Sequence, residues 1–149
     1  MEKLCSGKIN SKKLSCLTVE EIKSIGTSSS KARSIKTLAD AILSNELDLK
    51  SLTEKDDNEV IKSLTKLHGI GLWTAKMFLI FALDRQDVLP FEDIAFCRVI
   101  AGCIIPITEL NRLYKINVKK WKPYSSIAAR YLYRALDMGF TKREFNSFS

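Results

Sequence analysis

The chain has 149 residues, 46% of them hydrophobic, which fits one domain or two small halves sharing a core and excludes wholesale disorder. The apolar stretch near its middle, residues 77–83, falls far short of the roughly 20 residues that span a bilayer, and the first eight residues lack the apolar run of a secretory signal. Lys and Arg number 24 against 17 Asp and Glu, and the surplus is uneven: residues 46–59 carry two basic and six acidic side chains, residues 108–149 nine and three. A basic C-terminal third points to a polyanion, nucleic acid before membrane, or to a lysine-rich surface that keeps a small protein soluble.

In chain order the punctuation is helical. Thr18-Val19-Glu20-Glu21 is a capping box opening a short helix that stops at Gly26. Ser28, Ser29 and Ser30 offer N-caps for a longer helix with Ala32, Ile35, Leu38, Ala39, Ile42 and Leu43 on one face. Asp48 caps a short turn through Leu52, inside an acidic stretch that reads as a solvated surface connection. Asp56 or Asp57 starts a helix carrying Val60, Ile61, Leu64 and Leu67. Residues 72–83 hold only Thr74 and Lys76 as polar side chains, the pattern of a helix at the centre of a protein. Residues 84–87 end it and Pro90 interrupts the exit. A helix follows over 93–102, another is capped by Thr108, and the last runs from Pro123 to Met138, ending at Gly139, with Ile127, Ala128, Tyr131, Leu132 and Ala135 on its apolar face. No segment alternates like a strand, so the chain reads as all-α.

Four cysteines, Cys5, Cys16, Cys97 and Cys103, read as reduced, buried thiols. Cys97 and Cys103 are six apart with no His beside them, which argues against zinc.

The most informative motif is Leu67-His68-Gly69-Ile70-Gly71, a very short turn between two helices. Glycines free the backbone and clear side chains from it. Gly71 opens a helix, whose first amides and positive dipole end suit a phosphate. An αα-hairpin turn that simply needs glycine has the same sequence.

In context, residues 67–75 resemble the helix-hairpin-helix of the DNA glycosylase superfamily. Leu89-Pro90-Phe91-Glu92-Asp93-Ile94 resembles the segment bearing that superfamily's essential aspartate. Trp121-Lys122-Pro123-Tyr124-Ser125-Ser126-Ile127-Ala128-Ala129-Arg130-Tyr131-Leu132 resembles the closing helix of the 3-methyladenine DNA glycosylase II family. The three occur in order over roughly residues 15–139.

The resemblance implies a helix-hairpin-helix glycosylase-like fold, two packed helical halves with the active-site cleft between them. Residues 1–88 would form the first half, its hairpin at about 57–83, and residues 89–149 the second, with the aspartate and the basic tail. The implied function is monofunctional excision of alkylated purines such as 3-methyladenine from double-stranded DNA in base-excision repair. Gly69, Ile70, Gly71 and Thr74 would contact DNA. Main-chain carbonyls of Thr65, Leu67 and Ile70 would hold a structural Na+ or K+. Asp93 would be the catalytic carboxylate, and Trp73, Met77, Tyr124 and Trp121 would line the base pocket. Trp73 stands where strand-cleaving relatives carry lysine, so no lyase activity is expected, and the cysteine spacing of their iron–sulfur cluster is missing. The protein is expected to be a monomer in the cytoplasm with the nucleoid, or in the nucleus, with no membrane partner and not secreted.

The chemistry fits these residues. Breaking an N-glycosidic bond builds positive charge on deoxyribose, which an ionised carboxylate near C1′ stabilises. The base must first leave the stack, and a cationic alkylated purine is attracted by aromatic rings. An aspartate at a helix start is also an ordinary N-cap, while Glu92 beside it reads as solvated.

Three departures stand out: His68 where the hairpin usually has proline, Ser125 where many relatives have arginine, and no counterpart in residues 1–17 of the segment that supplies the family's wedge residue. The alternatives are therefore a non-catalytic DNA-binding fragment, or half of a split glycosylase needing a partner chain.

Overall fold

The computed structural model describes residues 4–5, 7–104 and 119–139. Among them every regular element is helical, as the sequence pattern predicts. None of these helices is long and apolar enough to cross a membrane. The helix start expected at Thr108 lies outside the described residues, as does much of the basic stretch 108–149. The chain divides into two compact units, residues 1–75 and 76–149.

In the first unit, α1 (Ser11–Cys16) is capped by Asn10, whose side chain accepts from the Lys13 amide at 2.9 Å. The sequence reading did not include this two-turn helix, which carries no fully buried residue and so no apolar stripe to betray it. α2 (Val19–Lys23) forms the expected capping box: Thr18 accepts from the Glu21 amide, and Glu21 from the Thr18 amide at 2.7 Å. Those hydrogen bonds hold the Glu21 carboxyl below its usual range. Both short helices pack on α3 (Ser29–Leu43). The buried positions of α3 are Ala32, Ala39 and Ala41, side chains small enough for close helix approach. Leu43, placed on the apolar face by periodicity, is 46% exposed because the helix ends there and Asn45 turns the chain at φ 59°.

The acidic stretch is anchored by buried Leu47 and Leu52, the latter in a 3-10 turn over Ser51–Thr53. α4 (Asp57–Thr65) starts with a second capping box, from Asp56 and Glu59, and buries Val60 and Leu64. α5 (Leu72–Phe81) crosses from one unit into the next. The expectation of an all-round buried helix is corrected: Ala75, Leu79 and Ile80 are buried, but Leu72, Trp73 and Phe81 are exposed. The core takes only a stripe at spacings of four and five, so the apolar ends need another explanation.

In the second unit, α6 (Ile94–Ile104) packs against α7 (Ser125–Asp137). Phe96, Ile100 and Ala129 form the cluster centre, with Leu89, Trp121, Leu132 and Tyr133 against it. This corrects the apolar face expected for the last helix. Tyr131 is 75% exposed and Ile127 is exposed, whereas Ser125, Ser126 and Ala129 are buried. Ser126 faces inward because it serves backbone: its Oγ accepts from the Val88 amide at 2.9 Å, and its amide donates to the Gln86 carbonyl at 2.9 Å; Ser125 faces inward to serve the Asp87 carboxylate. A polar residue that satisfies a buried loop belongs inside, which hydrophobic periodicity cannot register.

The cysteines also divide. Cys5 is buried as expected and Cys97 half-buried, but Cys16 at the end of α1 is exposed; the Cys103 side chain lies outside the described set.

Candidate active site

Two structures, one in each unit, carry the candidate residues. The first is the hairpin joining α4 to α5. Its turn is closed by backbone alone: the Leu67 amide donates to the Leu64 carbonyl and the Ile70 amide to the Leu67 carbonyl, each at 3.1 Å. Gly69 sits at φ 81°, and a Cβ there would lie 2.0 Å from Ser34 Oγ and 3.0 Å from Ser34 Cβ. Conformation and the close approach of α3 both demand glycine at 69.

Gly71 is different. Its φ is outside the left-handed region, and a Cβ would meet nothing within 4 Å. Its carbonyl accepts from the Ala75 amide at 3.0 Å, so it stands at the threshold of α5, whose first-turn amides have no carbonyl one turn back. Nothing among the described residues requires glycine here, and an open backbone at a positive helix end is what an approaching phosphate needs. Leu72, Trp73 and Thr74 beside it are exposed, with Ile70 half-buried. The exposed start of α5 is therefore part of the same surface.

The second structure is the loop entering α6. Asp93 is half-buried. Its amide donates to the Pro90 carbonyl at 3.0 Å. Oδ1 accepts from the Ala95 and Phe96 amides at 2.8 and 3.2 Å, so the N-cap role anticipated for it is real. Oδ2 accepts from the Tyr133 hydroxyl of α7 at 2.7 Å. The loop is also tied to α5: Lys76 Nζ donates to the Leu89 carbonyl at 3.0 Å and to Glu92 Oε1 at 2.8 Å, and lies 5.9 Å from the Phe91 ring centroid. Glu92 is thus an ion-pair partner, with its side chain 31% exposed, and not merely solvated.

The candidate pocket residues fall in different settings. Trp73 lies on the exposed first turn of α5, and Met77, one turn on, is half-buried. Tyr124 is 60% exposed at the N-cap of α7. Trp121 packs against the α6–α7 core cluster. Tyr133 was absent from the sequence reading, which followed Tyr131 instead. The signal that could have found it is the stripe Ser126, Ala129, Tyr133, whose spacings of three and four put it on the inward face.

The exit of α5 is held by charged and polar groups from α7. Arg130 donates to the Ile80 carbonyl and, at 2.6 Å, to Asp84 Oδ1. The Ser125 hydroxyl donates to Asp87 Oδ1, and Lys122 Nζ lies 3.2 Å from Asp87 Oδ2. The Ser125 bond chiefly holds the Asp87 carboxyl below its ordinary value; burial opposes it, and Lys122 adds smaller lowering effects. Ser125 thus serves an acidic partner. Among the described residues, no cluster of three His, Cys, Asp or Glu could hold a metal. A cavity of about 470 Å³ in the first unit includes only Leu67 of the candidate residues.

No family model matches the chain. It is similar to DNA-3-methyladenine glycosylase 1 of Schizosaccharomyces pombe, with 34% identity over 124 residues, 77% of this chain and 51% of that protein. Among solved structures it resembles a DNA-3-methyladenine glycosidase from Bacillus halodurans, at TM-score 0.71 and 30% identity over 90% of this chain and 63% of the other. It also resembles a 3-methyladenine DNA glycosylase of S. pombe in complex with abasic DNA, at TM-score 0.73 and 26% identity over 87% and 65% of the two chains. The all-helical fold is the one these glycosylases share. The chain spans about half the length of the curated relatives it matches first.

Proposed function

We propose that the chain belongs to the 3-methyladenine DNA glycosylase family, in its type II branch, and that it is a monofunctional N-glycosylase releasing alkylated purines such as 3-methyladenine from duplex DNA. Its relatives' names and the shared fold support the family. The observation that carries the chemistry is the Asp93 carboxylate, fixed at the start of α6 by two amides and a tyrosine hydroxyl.

In this reading the open backbone at Gly71 and the first turn of α5 bind a DNA phosphate by amide donation and helix-end charge, with little sequence preference. The α4 end suits a structural Na+ or K+: the last carbonyls of α4 have no amide one turn on, and the Leu67 carbonyl keeps a lone pair beyond its bond from Ile70. The Thr65, Leu67 and Ile70 carbonyls would hold the ion, which would add positive charge near the phosphate. The base is extruded into a pocket drawn from Trp73, Met77, Tyr124 and Trp121, where the rings of the tryptophans and the tyrosine attract it, and it leaves as the glycosidic bond breaks. Asp93 stabilises the sugar cation and orients the water that attacks C1′. With Trp73 in the position of the lyase lysine, the product is free base and an unbroken abasic strand. A genomic DNA substrate fits a protein that would work as a monomer in the cytoplasm, with the nucleoid, or in the nucleus.

Single-turnover release of 3-methyladenine from methylated duplex DNA, with borohydride added in parallel, tests this. Base release without a trapped adduct is expected; a trapped adduct overturns the monofunctional reading. DNA binding without release would favour a second reading, a non-catalytic DNA-binding module.

A further inference from the structure

We propose that Tyr133 is a positioning residue for Asp93: its hydroxyl holds the second carboxylate oxygen and keeps the group ionised and aimed. Capping α6 requires one carboxylate oxygen, and Oδ1 already receives both amides. A helix cap leaves its other oxygen to solvent. Here Oδ2 is taken by a hydroxyl forty residues away in the chain, on another helix.

The ring of Tyr133 is itself fixed. Its centroid lies 5.7 Å from that of Phe96 and 6.2 Å from that of Phe81, both tilted, and it packs against the core cluster. Phenylalanine would serve that packing equally well. What the hydroxyl adds is a donor to a carboxylate, a short charge-assisted bond that favours the anion. Two further pairings among the described residues border this loop. Glu92 and Lys76 pair with each other, and the Cys97 thiol donates to the Phe91 carbonyl at 3.3 Å.

The consequence for base release rests on the glycosylase reading; the clamp does not. In the full chain, Tyr133→Phe should leave the thermal melt nearly unchanged. The Asp93 carboxyl, followed by carbon NMR in the DNA-free protein, should titrate roughly one pH unit higher, because an anion-favouring donor is gone. The acid limb of single-turnover base release should move up by the same interval, with release at neutral pH slower by about tenfold. In an Asp93→Asn background, Tyr133→Phe should cost nothing more, since the two act as one unit. An unmoved carboxyl titration overturns the proposal, as does a loss that simply multiplies with that of Asp93→Asn. A shifted titration in a protein whose wild type releases no base would uphold the clamp and refute the glycosylase reading.

Discussion

The hairpin and the Asp93 loop do comparable work with different materials. The hairpin is built of backbone: two turns closed by amide–carbonyl bonds, a glycine wedged against Ser34 and a bare helix end. The Asp93 loop is built of side chains that converge from far along the chain, Lys76 from α5 and Tyr133 from α7. In the proposed reading the hairpin takes phosphate of any sequence, which needs amides and room that local geometry supplies. The Asp93 carboxylate would meet one sugar carbon, which needs an orientation set from several directions that only tertiary packing supplies.

The sharpest break between the two is Asp93→Asn. Asn caps a helix about as well as Asp, so the melt should hardly move. Base release should fall by about 10²–10³ in single turnover, the usual cost of removing one well-placed electrostatic group. DNA affinity should persist or rise slightly with one negative charge removed. A variant that releases base at the wild-type rate with equal stability would reduce Asp93 to a cap.

Next in size is the contrast within the hairpin. Gly71→Asp adds a side chain into open space, so folding should be unharmed. It also sets a carboxylate where the phosphate would sit, and affinity for duplex DNA at low salt should drop by about tenfold or more. Gly69→Ala should do the reverse. Its Cβ collides with Ser34 and its backbone is strained, so stability should fall by roughly 1–3 kcal/mol in a denaturant titration. Ser34→Gly in the same chain should restore part of that loss, because the collision goes and the strain remains. Equal melting of both single variants would erase the distinction between the two glycines.

This contrast also separates what the chain announces from what it hides. The Thr18 and Asp56 capping boxes, the Ser28 cap and the helix-breaking turn at 67–71 depend on residues within four positions of each other, and the sequence predicts them where the structure has them. Asp93 is legible as the start of a helix for the same reason. Tyr133 is not, because its importance comes from a partner forty residues away. The inward serines of α7 mislead periodicity outright: Ser125 and Ser126 are buried while Tyr131 is exposed. The apolar start of α5 misleads in the other direction, since Leu72 and Trp73 look like core and are 41% and 46% exposed.

The smallest effect is expected at Ser125, and its sign can be worked out. Asp87 has its carboxyl held below the ordinary value, first by the Ser125 hydroxyl. A carboxyl depressed in the folded state stabilises the fold at neutral pH, and that contribution is lost as pH falls from the unfolded value through the lower folded one. Ser125→Ala removes the main cause and leaves the Lys122 ion pair, which is exposed and screened by salt. At neutral pH the variant should lose up to about 1 kcal/mol, since a hydroxyl–carboxylate bond at a partly exposed site is worth little more. As pH drops below the usual aspartate range, wild type and variant should converge in melting temperature. Because this contact ties the α5 exit to α7 and touches neither the hairpin nor the Asp93 carboxylate, base release per folded molecule should stay as in wild type. A gap in stability that widens on acidification would mean that Ser125 acts through packing and not through Asp87.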